Sequence, residues 1–163
     1  MNQLRLALYQ PDIPQNAGAL LRLSACLGIP IDIIEPCGFV FNDRKLKRAG
    51  MDYLDQALCR RHSSWQTFAL SVAEEGRRLI LLTTKGEQRH DRFLFSAGDT
   101  IMVGRESCGV PPEVAAAAQA RVRIPMVAGM RSLNVALSAA LVVGAALARI
   151  DGFPNDDALE QVP

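Results

Sequence analysis

Three short clusters in this sequence combine polar side chains with glycine or proline in patterns that could do chemistry. The first is Asn16-x-Gly18-x-x-x-Arg22, just after Pro14. The second is Gly104-Arg105-Glu106-Ser107-Cys108-Gly109 followed by Val110-Pro111. The third is Ile124-Pro125-Met126 with Ser132-Leu133-Asn134. Taken singly, each reads as a turn in which glycine supplies positive φ. Gly104–Gly109 has the first spacing of a P-loop. Val110-Pro111 stands where a Lys-Ser/Thr pair is needed, so no side chain is offered to a β/γ-phosphate or to magnesium. No GxGxxG follows a strand, and no G-x-S-x-G nucleophile elbow is present. The cysteines Cys26, Cys37, Cys59 and Cys108 are scattered singly and only His62 and His90 offer imidazole, so a zinc site is a poor reading. A cofactor here would be recognised by backbone groups of the glycine and proline loops.

Regular elements must hold these clusters. Leu4–Tyr9 is a β-suited run ended by Pro11 and Pro14, and residues 15–27 carry helical apolar faces up to Gly28. Ile29–Ile34 reads as a second strand, and Asn42 or Asp43 can cap a short basic helix to Ala49. A brief strand is expected around Ala57–Cys59, then a helix from Trp65 to Glu75 capped by Ser63 or Ser64. Arg78–Leu82 and Thr100–Val103 are near-continuous apolar strands of the kind buried on both faces. Pro111-Pro112-Glu113 starts an alanine-rich helix expected to reach Gln119 or Ala120. Val122–Ile124 follows as a strand, and Ser132 is a candidate cap for a long last helix to Ile150. Alternating β and α elements with apolar strands predict an α/β fold, a mostly parallel sheet with helices on both faces. Ligands of such sheets lie at the strands' carboxyl ends, where the three clusters fall.

The chain has 163 residues, 49% hydrophobic, with 18 Lys+Arg against 17 Asp+Glu. That suits one domain, expected over residues 1–150, with an acidic tail over 151–163 that holds four acids and no base. The remainder is therefore basic, most densely at Arg44, Lys45, Lys47 and Arg48, which could grip a phosphate backbone. A chain of this size does not need disulfides, so reduced, mostly buried thiols are expected. The N-terminus lacks the unbroken apolar stretch of a signal peptide, and Val135–Ala148 is too short to span a bilayer, so a cytoplasmic protein without membrane contact is expected.

The joint order and spacing of the three clusters resembles the three motifs of SPOUT-superfamily 2′-O-methyltransferases. Ile13-Pro14, Ile34-Glu35-Pro36, Gly38-Phe39, Arg48-Ala49-Gly50 and Leu82-Thr83-Thr84-Lys85-Gly86 narrow the resemblance to the minimal tRNA (cytidine/uridine-34)-2′-O-methyltransferases. It covers roughly residues 4–150.

The resemblance implies a C-terminal deep trefoil knot, a homodimer, S-adenosylmethionine as methyl donor with S-adenosylhomocysteine as product, no metal, and the tRNA anticodon stem-loop as partner. By matched position, Leu82, Thr83, Gly104, Ile124, Met126, Ser132 and Leu133 would contact the cofactor. Arg22, Asn16, Glu106 and Asn134 would serve catalysis. Arg22 matches the motif-one arginine; a guanidinium accepts protons poorly, so gripping the phosphate beside the target ribose suits it better than acting as base. Glu106 could hold Arg22 or Asn16 in place. Arg131, with Arg44, Lys45, Lys47 and Arg48, would touch RNA. Relatives of this kind commonly carry a tyrosine where this chain has Gly144, and a basic tail where this one is acidic. The alternatives are methylation at another tRNA or rRNA site, and a non-catalytic RNA-binding or ribosome-assembly protein that keeps the fold.

Overall fold

The computed structural model describes residues 3–40 and 58–155. Seven strands, β1 (Arg5–Tyr9), β2 (Ile31–Ile34), β3 (Cys59–His62), β4 (Arg78–Leu82), β5 (Gln88–Arg89), β6 (Asp99–Val103) and β7 (Ala120–Arg123), form one sheet in the order β3-β2-β1-β6-β4-β7-β5. Every pairing between them is parallel. The described α-helices are α1 (Pro14–Leu27), α2 (Trp65–Glu74), α3 (Pro112–Ala117) and α4 (Val135–Ile150).

The two-residue alternation of a strand sends neighbouring side chains to opposite faces, and the core divides accordingly. Leu6, Leu8, Ile80, Ile101 and Val103 pack with Ala17, Leu20 and Leu21 of α1 and Ala139, Val142, Val143 and Ala146 of α4. Ala7, Tyr9, Leu79, Leu81 and Met102 pack on the other face with Phe68 and Val72 of α2 and Val114 of α3. Helices therefore cover both faces, and the central strands are mostly apolar because neither side meets water, with Arg5, Asp32, Asp99 and Thr100 as buried polar exceptions. Each fully buried Leu or Ile is worth about 1.5–3 kcal/mol over its exposed state.

Several boundaries differ from the sequence expectation. Helix α1 starts at Pro14, whose missing N–H is no loss in a first turn. Helix α2 is capped by Ser64, whose Oγ accepts from the Thr67 amide at 3.2 Å. Strand β3 lies at Cys59–His62, later than Ala57–Cys59, because its anchor is a charge and not an apolar run. His62 Nε2 donates to the buried Asp32 Oδ1 at 2.8 Å, and Arg5 Nε and Arg60 Nε lie 3.4 and 3.7 Å from that carboxylate. Helix α3 stops at Ala117, short of Gln119. The Gln119 amide donates to the Leu79 carbonyl at 2.9 Å and its Oε1 accepts from the Leu79 amide at 2.6 Å, so β4 pulls the chain out of the helix. The basic helix expected from Asn42 or Asp43 to Ala49, with Arg44, Lys45, Lys47 and Arg48, lies outside the described residues.

Candidate functional site

A parallel sheet turns all its carboxyl ends to one rim, and here the ends of β1, β4, β6 and β7 open onto one cavity of about 480 Å³. That is the size of a small-molecule pocket. Leu82 and Thr83 leave β4 into its wall, residues 104–110 leave β6, and Ile124 and Met126 follow β7. Ser132, Leu133 and Asn134 lead into α4, while Ile13 is the N-cap of α1 and Asn16 lies in its first turn.

Two close approaches shape this wall. Arg105 and Gly109 exchange backbone hydrogen bonds of 3.0 and 2.9 Å, folding the β6 loop onto itself. A Cβ at Gly104 would stand 2.8 Å from the Gly109 carbonyl carbon, so the fold needs glycine there. Past β4, a Cβ on Gly86 would collide with the backbone of Val122 and Arg123. The loop after β4 thus lies directly on β7.

The three sequence clusters are joined by one line of hydrogen bonds. Asn134 is the N-cap of α4, its Oδ1 accepting from the amides of Ala136 at 2.8 Å and Leu137 at 3.3 Å. The cap belongs to Asn134 and not to Ser132, as the sequence suggested. With Oδ1 committed to the helix, Asn134 Nδ2 faces outward and donates to Asn16 Oδ1 at 2.9 Å. Asn16 Nδ2 then donates to Glu106 Oε1 at 3.3 Å. The helix end therefore fixes the orientation of both amides.

Glu106 is tied in turn to Asp12. The Asp12 amide donates to Glu106 Oε2 at 2.9 Å, and the Glu106 amide returns a bond to Asp12 Oδ1 at 3.1 Å. Ser107 Oγ donates to Asp12 Oδ2. Gly38 closes over this joint, where a Cβ would lie 2.6 Å from the Asp12 Cβ. The facing Glu106 and the Ser107 hydroxyl hold the Asp12 carboxyl down to about 2, while burial and the facing Asp12 push Glu106 up. In the sequence Ser107 was only a member of the second cluster with no role of its own, and Asp12 was not singled out. The only trace of Asp12 was an acid between two prolines.

Of the residues expected at the site, Asn16, Leu82, Thr83, Gly104, Glu106, Ile124, Met126, Ser132, Leu133 and Asn134 all line the cavity. Arg22 does not: it is exposed on α1, six positions beyond Asn16 and therefore on a different side of the helix. Glu106 holds Asn16, as one of the two expected options had it. Arg131 is exposed in the loop before α4 and is not part of the wall. Among the described residues no group of three or more His, Cys, Asp or Glu is arranged to hold a metal ion. The four cysteines are free. Burial raises Cys37 and Cys59 to about 11, whereas Cys26 and Cys108 are exposed, contrary to the expectation of mostly buried thiols.

The donor set suits a nucleoside-bearing cofactor. Leu82, Ile124 and Leu133 offer an apolar slot without charge, and the turns around them offer backbone N–H and C=O groups. No described helix is long and apolar enough to cross a membrane.

Comparison with known proteins gives a consistent picture. Residues 3–144 match the SpoU rRNA Methylase family. A tRNA (cytidine(34)-2′-O)-methyltransferase of Beijerinckia indica is 56% identical over 145 residues, 89% of this chain and 91% of that protein. A solved structure described as giving structural insights into the 2-OH methylation of C/U34 on tRNA superposes with a TM-score of 0.85 at 39% identity, over 92% of this chain and 97% of that one. An AdoMet-bound rRNA methyltransferase from Sinorhizobium meliloti shares the fold, with a TM-score of 0.80 at 22% identity over 90% of this chain and 56% of its own.

Proposed function

Because the chain belongs to the SpoU rRNA Methylase family, we propose that it transfers a methyl group from S-adenosylmethionine to the ribose 2′-oxygen of the tRNA wobble nucleotide, cytidine or uridine 34. The observation that carries this reading is the convergence of three separate motifs on one cavity, joined through Asn134, Asn16 and Glu106. Two relatives of matching length carry the same activity in their descriptions.

Bound in the cavity, the cofactor supplies an electrophilic methyl on a sulfonium. This chain's residues do the rest by position. Leu82, Thr83, Gly104, Ile124, Met126, Ser132 and Leu133, which line the cavity, would hold the cofactor. Asn134 and Asn16 hold the α4 and α1 loops at a fixed separation, so that cofactor and ribose meet in line. Glu106 accepts from Asn16 Nδ2 and from the Asp12 amide, and so holds the α1 end of the site in place. Arg22, exposed outside the cavity, clamps a phosphate of the substrate strand. Arg44, Lys45, Lys47, Arg48 and Arg131 add phosphate contacts to the anticodon stem-loop.

The same reading makes residues 1–150 one catalytic unit with 151–163 as its tail, acting as a cytoplasmic homodimer. Leu137 and Leu141, four apart on α4, are both exposed, and so form an unpartnered apolar pair beside the site. It also includes a trefoil knot through the C-terminal segment, which the family membership implies.

The test is methyl transfer from labelled S-adenosylmethionine into unmodified tRNA, with the product mapped by nuclease digestion. Label at the 2′-oxygen of nucleotide 34 is expected. Label confined to another tRNA site or to rRNA would overturn the substrate and keep the chemistry. RNA binding with no transfer to any of these would favour a non-catalytic RNA-binding or ribosome-assembly role.

A further inference from the structure

Arg105 is the charged residue of the cavity wall that the proposed reaction leaves without a task. Its backbone is pinned in both directions to Gly109, so the side chain starts from a fixed point. Its Nε is buried and has no hydrogen-bond partner, and among the described residues the guanidinium makes no ion pair, even with Glu106 next to it in sequence or Glu113 beyond. A buried guanidinium nitrogen without an acceptor is costly unless a ligand supplies one.

Its direction follows from its neighbours. Burial raises both the Tyr9 phenol and the Cys37 thiol, and the positive charge of Arg105 opposes the rise in each. Tyr9 ends β1, and Cys37 lies just past β2. The apolar slot of Leu82 and Ile124 comes instead from β4 and β7, on the far side of β6 in the strand order. The guanidinium is thus within electrostatic reach of the β1 and β2 ends, the side of the cavity on which Asn16 and Glu106 stand.

We propose that Arg105 binds a phosphate of the RNA substrate next to the methylated ribose, and so selects the register in which that ribose enters the cavity. This rests on the proposed function. An arginine fork matches two phosphate oxygens in a plane, which an ammonium does not.

The experiment measures binding of an anticodon stem-loop RNA against salt concentration for wild type, Arg105→Ala and Arg105→Lys. Calorimetry of S-adenosylmethionine and thermal melts are run on the same preparations. Losing one phosphate contact should weaken RNA binding about 5- to 20-fold and lower the salt slope by about 0.7–1 in Arg105→Ala. Cofactor affinity should stay within about twofold of wild type. Arg105→Lys should recover the slope but little of the affinity. An unchanged slope in Arg105→Ala overturns the proposal, and so does a selective loss of cofactor affinity, which would assign the guanidinium to the cofactor's carboxylate. Wild type that binds and methylates a different RNA would overturn the position-34 reading, and the Arg105 slope is then decided on that RNA.

Discussion

Asn134 does two jobs with the two ends of one amide, and the jobs can be separated. Asn134→Ala loses the cap of α4 and the bond to Asn16, and should cost about 1–2 kcal/mol in urea denaturation together with most of the methyl transfer. Asn134→Asp keeps an acceptor for the Ala136 and Leu137 amides but has nothing to donate to Asn16. It should melt within a few degrees of wild type and still lose transfer. Asp12 gives a prediction with a sign. Its folded pKa of about 2 lies below the usual carboxylate value of 3.8. Its stabilising effect is therefore complete above that value and fades as pH falls from about 4 towards 2. The stability difference between wild type and Asp12→Asn should accordingly be larger at pH 5 than at pH 3. For Arg22, comparing lysine with alanine separates charge from shape: a bidentate phosphate clamp predicts little rescue of transfer by Arg22→Lys.

Elements were legible in the sequence where burial alone decides them, and illegible where a specific partner does. Arg78–Leu82 was read to the residue because RLILL is buried on both faces. Strand β3, with the sequence CRRH, gave no apolar signal; Asp32, 1% exposed, is met there by the His62 ring nitrogen and by Arg60. Asp32→Ala would leave Glu75, 3.0 Å away, to pair Arg5 and would take the buried acceptor from the His62 ring, and should destabilise by about 1–3 kcal/mol in urea denaturation. Strand β5 is two polar residues and carries no periodicity to read. The polar line from α4 to Asp12 was equally invisible: spacing nominated Asn16, Glu106 and Asn134 separately, but their bonds depend on how the loops fold together. On α4, replacing both Leu137 and Leu141 by glutamate should convert the proposed dimer to monomer in light scattering, with the monomer's melting temperature little changed because both side chains are exposed.

At the scale of the whole molecule, the alternation of apolar strands and helices is what predicted a parallel sheet, and the sheet then placed every motif on one rim. The order β3-β2-β1-β6-β4-β7-β5 was beyond the sequence, because periodicity says which residues are buried and not which strands are neighbours. The site is correspondingly non-local. Asp12 and Glu106 are 94 positions apart, and Asn16 and Asn134 are 118 apart. This has a consequence for synthesis. On the ribosome, β1 emerges early but has no β6 beside it until residues 99–103 are made, and the cavity lacks its last wall until α4 follows. For most of translation the nascent chain carries an apolar strand with one open edge, the condition in which chains aggregate or recruit chaperones. Cofactor binding can begin only when nearly the whole chain has been made, so a truncated product would be inactive and prone to aggregate.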